Sequence, residues 1–190
     1  MKVTAFNGSA RKNGNTATLI GHVLEVLKEN GIETEHVQLG GKHLKGCIAC
    51  YKCFENKDRR CSVKDDYLNE ALEKMDSSDG IILGSPTYFA NVSTNTKSLI
   101  DRAGLVAKAN SEMFARKAGA AVVAVRRSGA IHAFNAINHF FLIGGMVVPG
   151  SSYWNIGIGM DPGDAAGDAE GVETMKNLGA NMAWLLERIR

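Results

Sequence analysis

Two short apolar runs constrain the possible folds of this chain most strongly. Residues 118–125 are almost purely apolar, and a second run, Ile81-Ile82-Leu83, lies between turn residues within 79–85. Runs this short, bounded by turn residues, are typical of strands that are buried on both faces of a parallel sheet. Parallel strands are joined by crossover connections that are usually helical, so the sequence predicts an α/β protein.

Five predicted strands alternate with five amphipathic, helical patterns along the chain. The strands are predicted at residues 3–6, 34–39, 79–85, 118–125 and 146–148. This alternation predicts a doubly wound five-stranded parallel sheet of order 2-1-3-4-5 with helices on both faces. We expect residues 1–190 to form a single domain, with a cysteine-rich loop insert at about 46–62 and a long loop at 151–171.

A polar loop, residues 8–16, joins the first predicted strand to the first predicted helix. Backbone N–H groups at a helix N-terminus point outward and the helix dipole favours negative charge, so this loop predicts an anion site. Hydroxyl, amide and guanidinium side chains add further donors. These side chains belong to Ser9, Arg11, Asn13, Asn15 and Thr16.

The glycine spacing in this loop indicates which kind of phosphate it suits. A Walker A loop reads G-x-x-x-x-G-K-[ST], but five residues separate Gly8 from Gly14 and Asn15 stands in the lysine position. The spacing also differs from the dinucleotide fingerprint, and no acid ends the second strand at residues 38–40. The loop instead suits one monophosphate, such as that of FMN. The alternative is an ordinary strand-to-helix turn.

Two further loops are expected beside the phosphate loop. In a sheet of order 2-1-3-4-5, the loops after strands one, three and four meet at one edge, where ligands of such sheets bind. Tyr88 and Phe89 offer flat rings for stacking on an aromatic heterocycle, although aromatic residues at a strand end are also common core residues. The other candidate binding residues of these loops are Ser85, Pro86, Thr87, Asn91, Arg126 and Ser128.

All four cysteines fall in one short segment. Cys47, Cys50, Cys53 and Cys61 are separated by two, two and seven residues. Compact C-x2-C-x2-C runs are one signature of iron–sulfur clusters, whereas structural zinc more often uses two separated C-x2-C pairs. The segment predicts a [4Fe-4S] cluster, with free thiols, a redox disulfide and a zinc site as the alternatives.

These motifs together resemble a known family. Residues 8–16 resemble the phosphate loop of the flavodoxin-like NAD(P)H-dependent FMN reductases. Residues 85–89, with Lys97 and 100–102, are similar to that family's second flavin loop and following helix. The cysteine pattern resembles the iron–sulfur flavoprotein branch, which carries FMN and a [4Fe-4S] cluster. The gap of seven residues before Cys61 is at the long end of what that branch uses, and Ala10 stands where the family often has proline.

The resemblance implies a function and a set of contacts. It implies that Ser9, Arg11, Asn15 and Thr16 hold the FMN phosphate and that residues 86–91 hold the ring. We expect an oxidoreductase in which FMN performs the chemistry without a dedicated acid–base residue. The expected donor is NAD(P)H or a ferredoxin-like carrier, and the expected acceptor is a quinone, a flavin, oxygen or peroxide.

Three other functions remain open at this stage. They are a cluster-free NAD(P)H-dependent reductase of FMN or quinones, a non-enzymatic flavodoxin-type electron carrier, and a flavin-free signalling domain. Electron-carrying flavodoxins are typically strongly acidic, so the net charge of +2 favours an enzyme.

Composition and charge bear on the partners and the cellular location of the protein. The small net charge predicts no extended basic surface for nucleic acid, and the apolar runs are too short for a membrane span. The chain starts directly with a strand pattern, so we expect a cytoplasmic protein. The cysteine insert would project from the rim of the sheet, which predicts a homodimer or homotetramer with this segment at the interface.

Overall fold

A five-stranded parallel sheet forms the centre of the protein. The computed structural model describes residues 1–189, so the last residue of the predicted domain lies outside it. The strands are β1 (Lys2–Asn7), β2 (Glu33–Gln38), β3 (Gly80–Pro86), β4 (Ala118–Val125) and β5 (Ile156–Ile158). Their order is β2-β1-β3-β4-β5 with every pair parallel, which confirms the predicted fold class.

The described residues form six α-helices, and five of them cover the two faces of the sheet. The six are α1 (Asn15–Glu29), α2 (Lys52–Asn56), α3 (Leu68–Asp76), α4 (Thr94–Ala109), α5 (Ala130–Ile143) and α6 (Ala169–Arg188). The apolar sides of α1 and α6 pack on one face, and those of α3, α4 and α5 pack on the other. No helix among residues 1–189 combines the length and the apolar character needed to cross a bilayer.

The uninterrupted apolar run of β4 follows from this two-sided covering. Ala121 and Val123 pack in the cluster beneath α3, α4 and α5, whereas Ala120 and Val122 pack in the cluster beneath α1 and α6. Side chains alternate between the two faces of a strand, so a strand covered on both sides has no position that faces water.

The prediction of the last strand was wrong. Residues 146–148 do not form the fifth strand; Val147 makes only an isolated bridge with Ala118, and β5 begins at Ile156. Pro149 interrupts the run because proline has no N–H for the ladder. Between the bridge at Val147 and the start of β5, the carbonyl oxygen of Asn155 accepts from the Val123 N–H at 2.9 Å.

The segment predicted as a long loop at 151–171 is therefore partly regular. It contains β5, a short 3₁₀-helix at Asp164–Gly167 and the start of α6. The Asn155 side chain also donates to the Ala121 carbonyl at 2.9 Å, so one residue bridges the gap in the edge ladder. This arrangement directs the chain after β5 towards the first turn of α1.

Candidate functional site

The three predicted loops meet at the carboxyl end of the sheet around one cleft. The cleft has a volume of about 220 Å³ and is lined by residues of all three loops. Its first wall comes from the phosphate loop. That wall consists of Ser9, Arg11, Gly14, Asn15 and Thr16.

Helix α1 presents a free N-terminus to this cleft. Gly14 stands at the N-cap without a side-chain cap, and the first turn contains no acid. The N–H groups of a first helical turn have no intrahelical acceptor, so they remain available to an anion. The buried hydroxyl-bearing residues Ser9 and Thr16 flank the same point. The observed loop therefore has the features that a monophosphate requires.

Hydrogen bonds from neighbouring elements fix the phosphate loop. The Gly8 N–H donates to the Gly84 carbonyl at 2.8 Å, and Gln38 Nε2 donates to the Ser9 carbonyl at 2.6 Å. Ser93 Oγ donates to the Gly8 carbonyl at 2.7 Å. These bonds tie the loop after β1 to β2, to β3 and to the start of α4, so the donors are positioned before a ligand arrives.

The loop after β3 forms the second wall, with Pro86, Thr87 and Tyr88. The Thr87 hydroxyl is buried and has no hydrogen-bond partner. Buried polar atoms are rarely left unpaired, so this hydroxyl retains hydrogen-bonding capacity for a further partner. The loop turns sharply through Phe89 and Ala90, which both adopt the left-handed conformation.

Several predicted site residues lie elsewhere in the structure. Ser85 is buried beneath the cleft, where its hydroxyl donates to the Pro86 carbonyl at 2.8 Å and accepts from the Ser93 N–H at 2.9 Å. The side chain of Asn13 lines a separate surface depression beside Gln38.

Only some of the residues predicted to contact the flavin ring line the cleft. Arg126 lines the cleft, whereas Phe89, Asn91 and Ser128 are exposed and do not line it. The Asn91 side chain accepts from the Val92 N–H at 2.8 Å.

A third wall was missed by the sequence analysis. Gly159 and Met160, just after β5, line the cleft opposite the loop after β3. Asn15 connects this wall to α1, because its side-chain oxygen accepts from the N–H groups of Gly163 at 3.0 Å and Ala165 at 3.2 Å. The only sequence signal was the high glycine content of the segment.

All four cysteines line a second, smaller cavity. Cys53 is buried, Cys61 is half-buried, and Cys47 and Cys50 are exposed. None of these cysteines, all within the described residues, forms a disulfide bond. The remaining walls include Arg102, Leu105 and Val106 of α4.

The backbone around the cysteines is unusually strained. Ala49, Tyr51, Lys57 and Arg59 are all left-handed although none is glycine. Each such residue costs about 1–3 kcal/mol and persists only where the surroundings determine it, commonly at functional sites. These left-handed turns lie within the segment whose first three cysteines and distant Cys61 line the same cavity.

The thiols of this cavity have different environments. The Ser62 hydroxyl, 3.3 Å from Cys50 Sγ, and the Lys52 N–H lower the pKa of Cys50. Burial raises the pKa of Cys53. No three His, Cys, Asp or Glu side chains among residues 1–189 are close enough to hold a single metal ion. A cubane cluster places its thiolates further apart than one ion does, because each thiolate binds a different iron.

The sequence profile of the NADPH-dependent FMN reductase family matches residues 1–161. An iron–sulfur flavoprotein of Methanocaldococcus jannaschii is 39% identical over 196 residues, covering 100% of both chains. An iron–sulfur flavoprotein of Methanosarcina thermophila is 34% identical over 192 residues, covering 100% of this chain and 97% of that one.

Similarity to solved structures concerns the fold. The structure of RosB with bound 8-demethyl-8-formylriboflavin-5'-phosphate has a TM-score of 0.75 at 17% identity, covering 98% of this chain and 79% of that chain. The relationship is identified by the sequence matches, since the family profile covers residues 1–161 and the Methanocaldococcus jannaschii relative matches the whole chain. The chain belongs to the NADPH-dependent FMN reductase family and, within it, to the iron–sulfur flavoprotein branch of flavin-dependent oxidoreductases.

Proposed function

We propose that this oxidoreductase binds FMN in the cleft between its loops and a [4Fe-4S] cluster in the cysteine cavity. The observation that carries the proposal is the convergence of Cys47, Cys50, Cys53 and Cys61 on one cavity. Relatives across the whole chain are named iron–sulfur flavoproteins. Four thiolates are the usual ligand set of such a cluster.

The FMN phosphate is assigned to the free N-terminus of α1. Ser9 and Thr16 supply hydroxyls there, and the exposed Arg11 supplies a positive charge while donating to the Met160 carbonyl at 3.3 Å. The ring is assigned to the space between Thr87 and Tyr88 on one side and Gly159 on the other. The unpaired Thr87 hydroxyl would then have a polar partner on the flavin.

When bound, FMN accepts two electrons and a cluster carries them one at a time, which links a two-electron donor to one-electron acceptors. The protein itself positions both groups. We propose NAD(P)H or a ferredoxin-like carrier as the donor, and a quinone, a flavin, oxygen or peroxide as the acceptor. Tyr88, half-exposed at the mouth of the cleft, is the side chain beside which a flat donor or acceptor would lie.

A second copy of the chain is part of this proposal. Helix α4 connects the flavin loop to the cysteine cavity. Its N-cap Ser93 ends the loop, and Arg102, nine residues later, lines the cavity. The two positions are about 14 Å apart along the helix axis at ~1.5 Å per residue. Ile48, Tyr51 and Phe54 are exposed beside the cysteines. Cover by a second copy would remove these apolar side chains from water and bring the cluster near a neighbour's flavin.

The experiment is anaerobic purification followed by flavin, iron and sulfide analysis of the full chain. We expect about one FMN, four irons and four sulfides per chain. Cys53→Ser should remove the iron while FMN remains. Ser62→Ala is the matched control, because it changes a neighbour of Cys50 but leaves all four thiols in place.

Three outcomes would contradict parts of the proposal. A protein with FMN but no iron would be a cluster-free reductase, and flavin bleaching by NADPH without oxygen would identify its donor. A colourless protein would refute the assignment of the cleft. A monomer on size-exclusion chromatography at micromolar concentration would exclude the shared interface.

A further inference from the structure

A buried guanidinium forms part of the cysteine cavity. The Arg102 side chain is only 1% exposed, and arginine is almost never fully buried unless it is paired. Its Nη2 lies 3.2 Å from Cys61 Sγ. A guanidinium has donors and no acceptor, so the sulfur must accept this hydrogen bond. Arg102 therefore directs positive charge at one of the four proposed cluster ligands.

The carboxylate of Asp66 balances this positive charge. Its side chain is 0% exposed and forms an ion pair with both terminal nitrogens of Arg102. The carboxylate also accepts from the N–H groups of Lys45 at 2.9 Å and Leu68 at 3.3 Å. Burial alone would raise the pKa of Asp66, but these hydrogen bonds outweigh it and hold the pKa below its ordinary value.

Arg102 and Asn69 fix the two ends of the cysteine segment by hydrogen bonds. Arg102 donates to the carbonyls of Lys45 at 3.1 Å and Val63 at 3.4 Å, on either side of the four cysteines. The buried Asn69 bonds both the N–H of Cys61, at 2.8 Å, and its carbonyl, at 3.0 Å. Cys61 is thus fixed by α3 and α4, whereas Cys47 and Cys50 lie in the exposed part of the segment.

We propose that Arg102 is a positioning residue that raises the reduction potential of the cluster through its hydrogen bond to Cys61, and that Asp66 opposes this effect. The inference rests on the proposed cluster. Reduction adds one electron and breaks no bond, so the reduced cluster is more negative than the oxidised one. Donors and positive charge at a ligand sulfur stabilise the reduced form, and a nearby carboxylate destabilises it.

The test is the midpoint potential of the cluster in the full-length holoprotein, measured by anaerobic reductive titration with electron paramagnetic resonance. Arg102→Gln should shift the potential to more negative values, and Asp66→Asn should shift it to more positive values. Arg102→Lys keeps the charge and should fall between Arg102→Gln and the wild type. Lys108 lies on the same helix as Arg102 and forms an exposed ion pair with Glu112, and Lys108→Gln should leave the potential unchanged.

Opposite signs for the two variants separate an electrostatic role from a structural one, since general loosening would move both potentials in the same direction. Equal or absent shifts in iron-loaded variants would overturn the role of Arg102. A wild type without iron would overturn the cluster assignment as well. Where Arg102→Gln does not fold, the double variant Arg102→Gln/Asp66→Asn should have a lower potential than Asp66→Asn alone, and equality would refute the inference.

Discussion

Gly159 tests the third wall of the proposed FMN cleft. A Cβ added at Gly159 would lie 2.6 Å from Asn15 Nδ2 and 2.8 Å from the Ala165 nitrogen. Ordinary contact begins near 3.4 Å, so these atoms would have to move by about 0.8 and 0.6 Å respectively. Neither atom is free to do so, because the Asn15 side chain accepts from the Ala165 N–H and thereby joins α1 to this wall.

The cost of Gly159→Ala follows from this geometry. Forcing an extra carbon into a packed site costs about 1–3 kcal/mol. Because those two atoms are held in place, the backbone of Gly159 itself would have to shift, and bound FMN would require its original position. We therefore expect most of the cost in binding, and about 2 kcal/mol corresponds to an FMN Kd about thirtyfold higher.

The assay is titration of apoprotein into FMN, followed by the quenching of flavin fluorescence. Gly167→Ala is the matched control in the same segment, because no atom lies within 4 Å of its added Cβ. The control should bind FMN within about twofold of the wild type. Wild-type affinity in a correctly folded Gly159→Ala variant would show that this wall does not contact the flavin.

Three smaller predictions concern stability, each measured by urea denaturation of the apoprotein. Phe89→Ala should change the free energy of unfolding by less than ~0.5 kcal/mol, because its ring is fully exposed; a larger loss would show that the ring packs. Asn155→Ala should cost about 1–3 kcal/mol, since the buried carbonyl of Ala121 loses its partner; no loss would refute the bridging role. The lowered pKa of Asp66 means that its carboxylate stabilises the fold above about pH 4 and that this contribution disappears as pH falls through the lowered pKa. Unfolding free energy should therefore decrease below ~pH 4, and Asp66→Asn should show a shallower decrease; equal slopes would contradict the assignment.

Local chemistry in the sequence was enough to predict most of the sheet and the first wall of the cleft. The apolar run at β4 indicated burial on both faces, and the alternation with helices indicated parallel order. Spacing within residues 8–16 excluded triphosphate and dinucleotide loops, because those motifs depend on neighbouring residues along the chain. The compact cysteine spacing likewise placed three of the four thiols together.

Features that depend on distant residues were decided only by the tertiary structure. The fifth strand begins at Ile156, because an edge strand is fixed by where β4 offers free hydrogen-bonding groups, and Asn155 fills the gap that Pro149 leaves. The N–H of Gly159, which lines the cleft, donates to the carbonyl of Val125 at 2.9 Å, and Arg102 reaches Cys61 from a helix about forty residues later. The sequence by itself determined the first four strands of the sheet, the phosphate loop and the grouping of the four cysteines in one segment. The close contacts between segments that are far apart in the chain determined the third wall of the cleft and the charge beside the thiols.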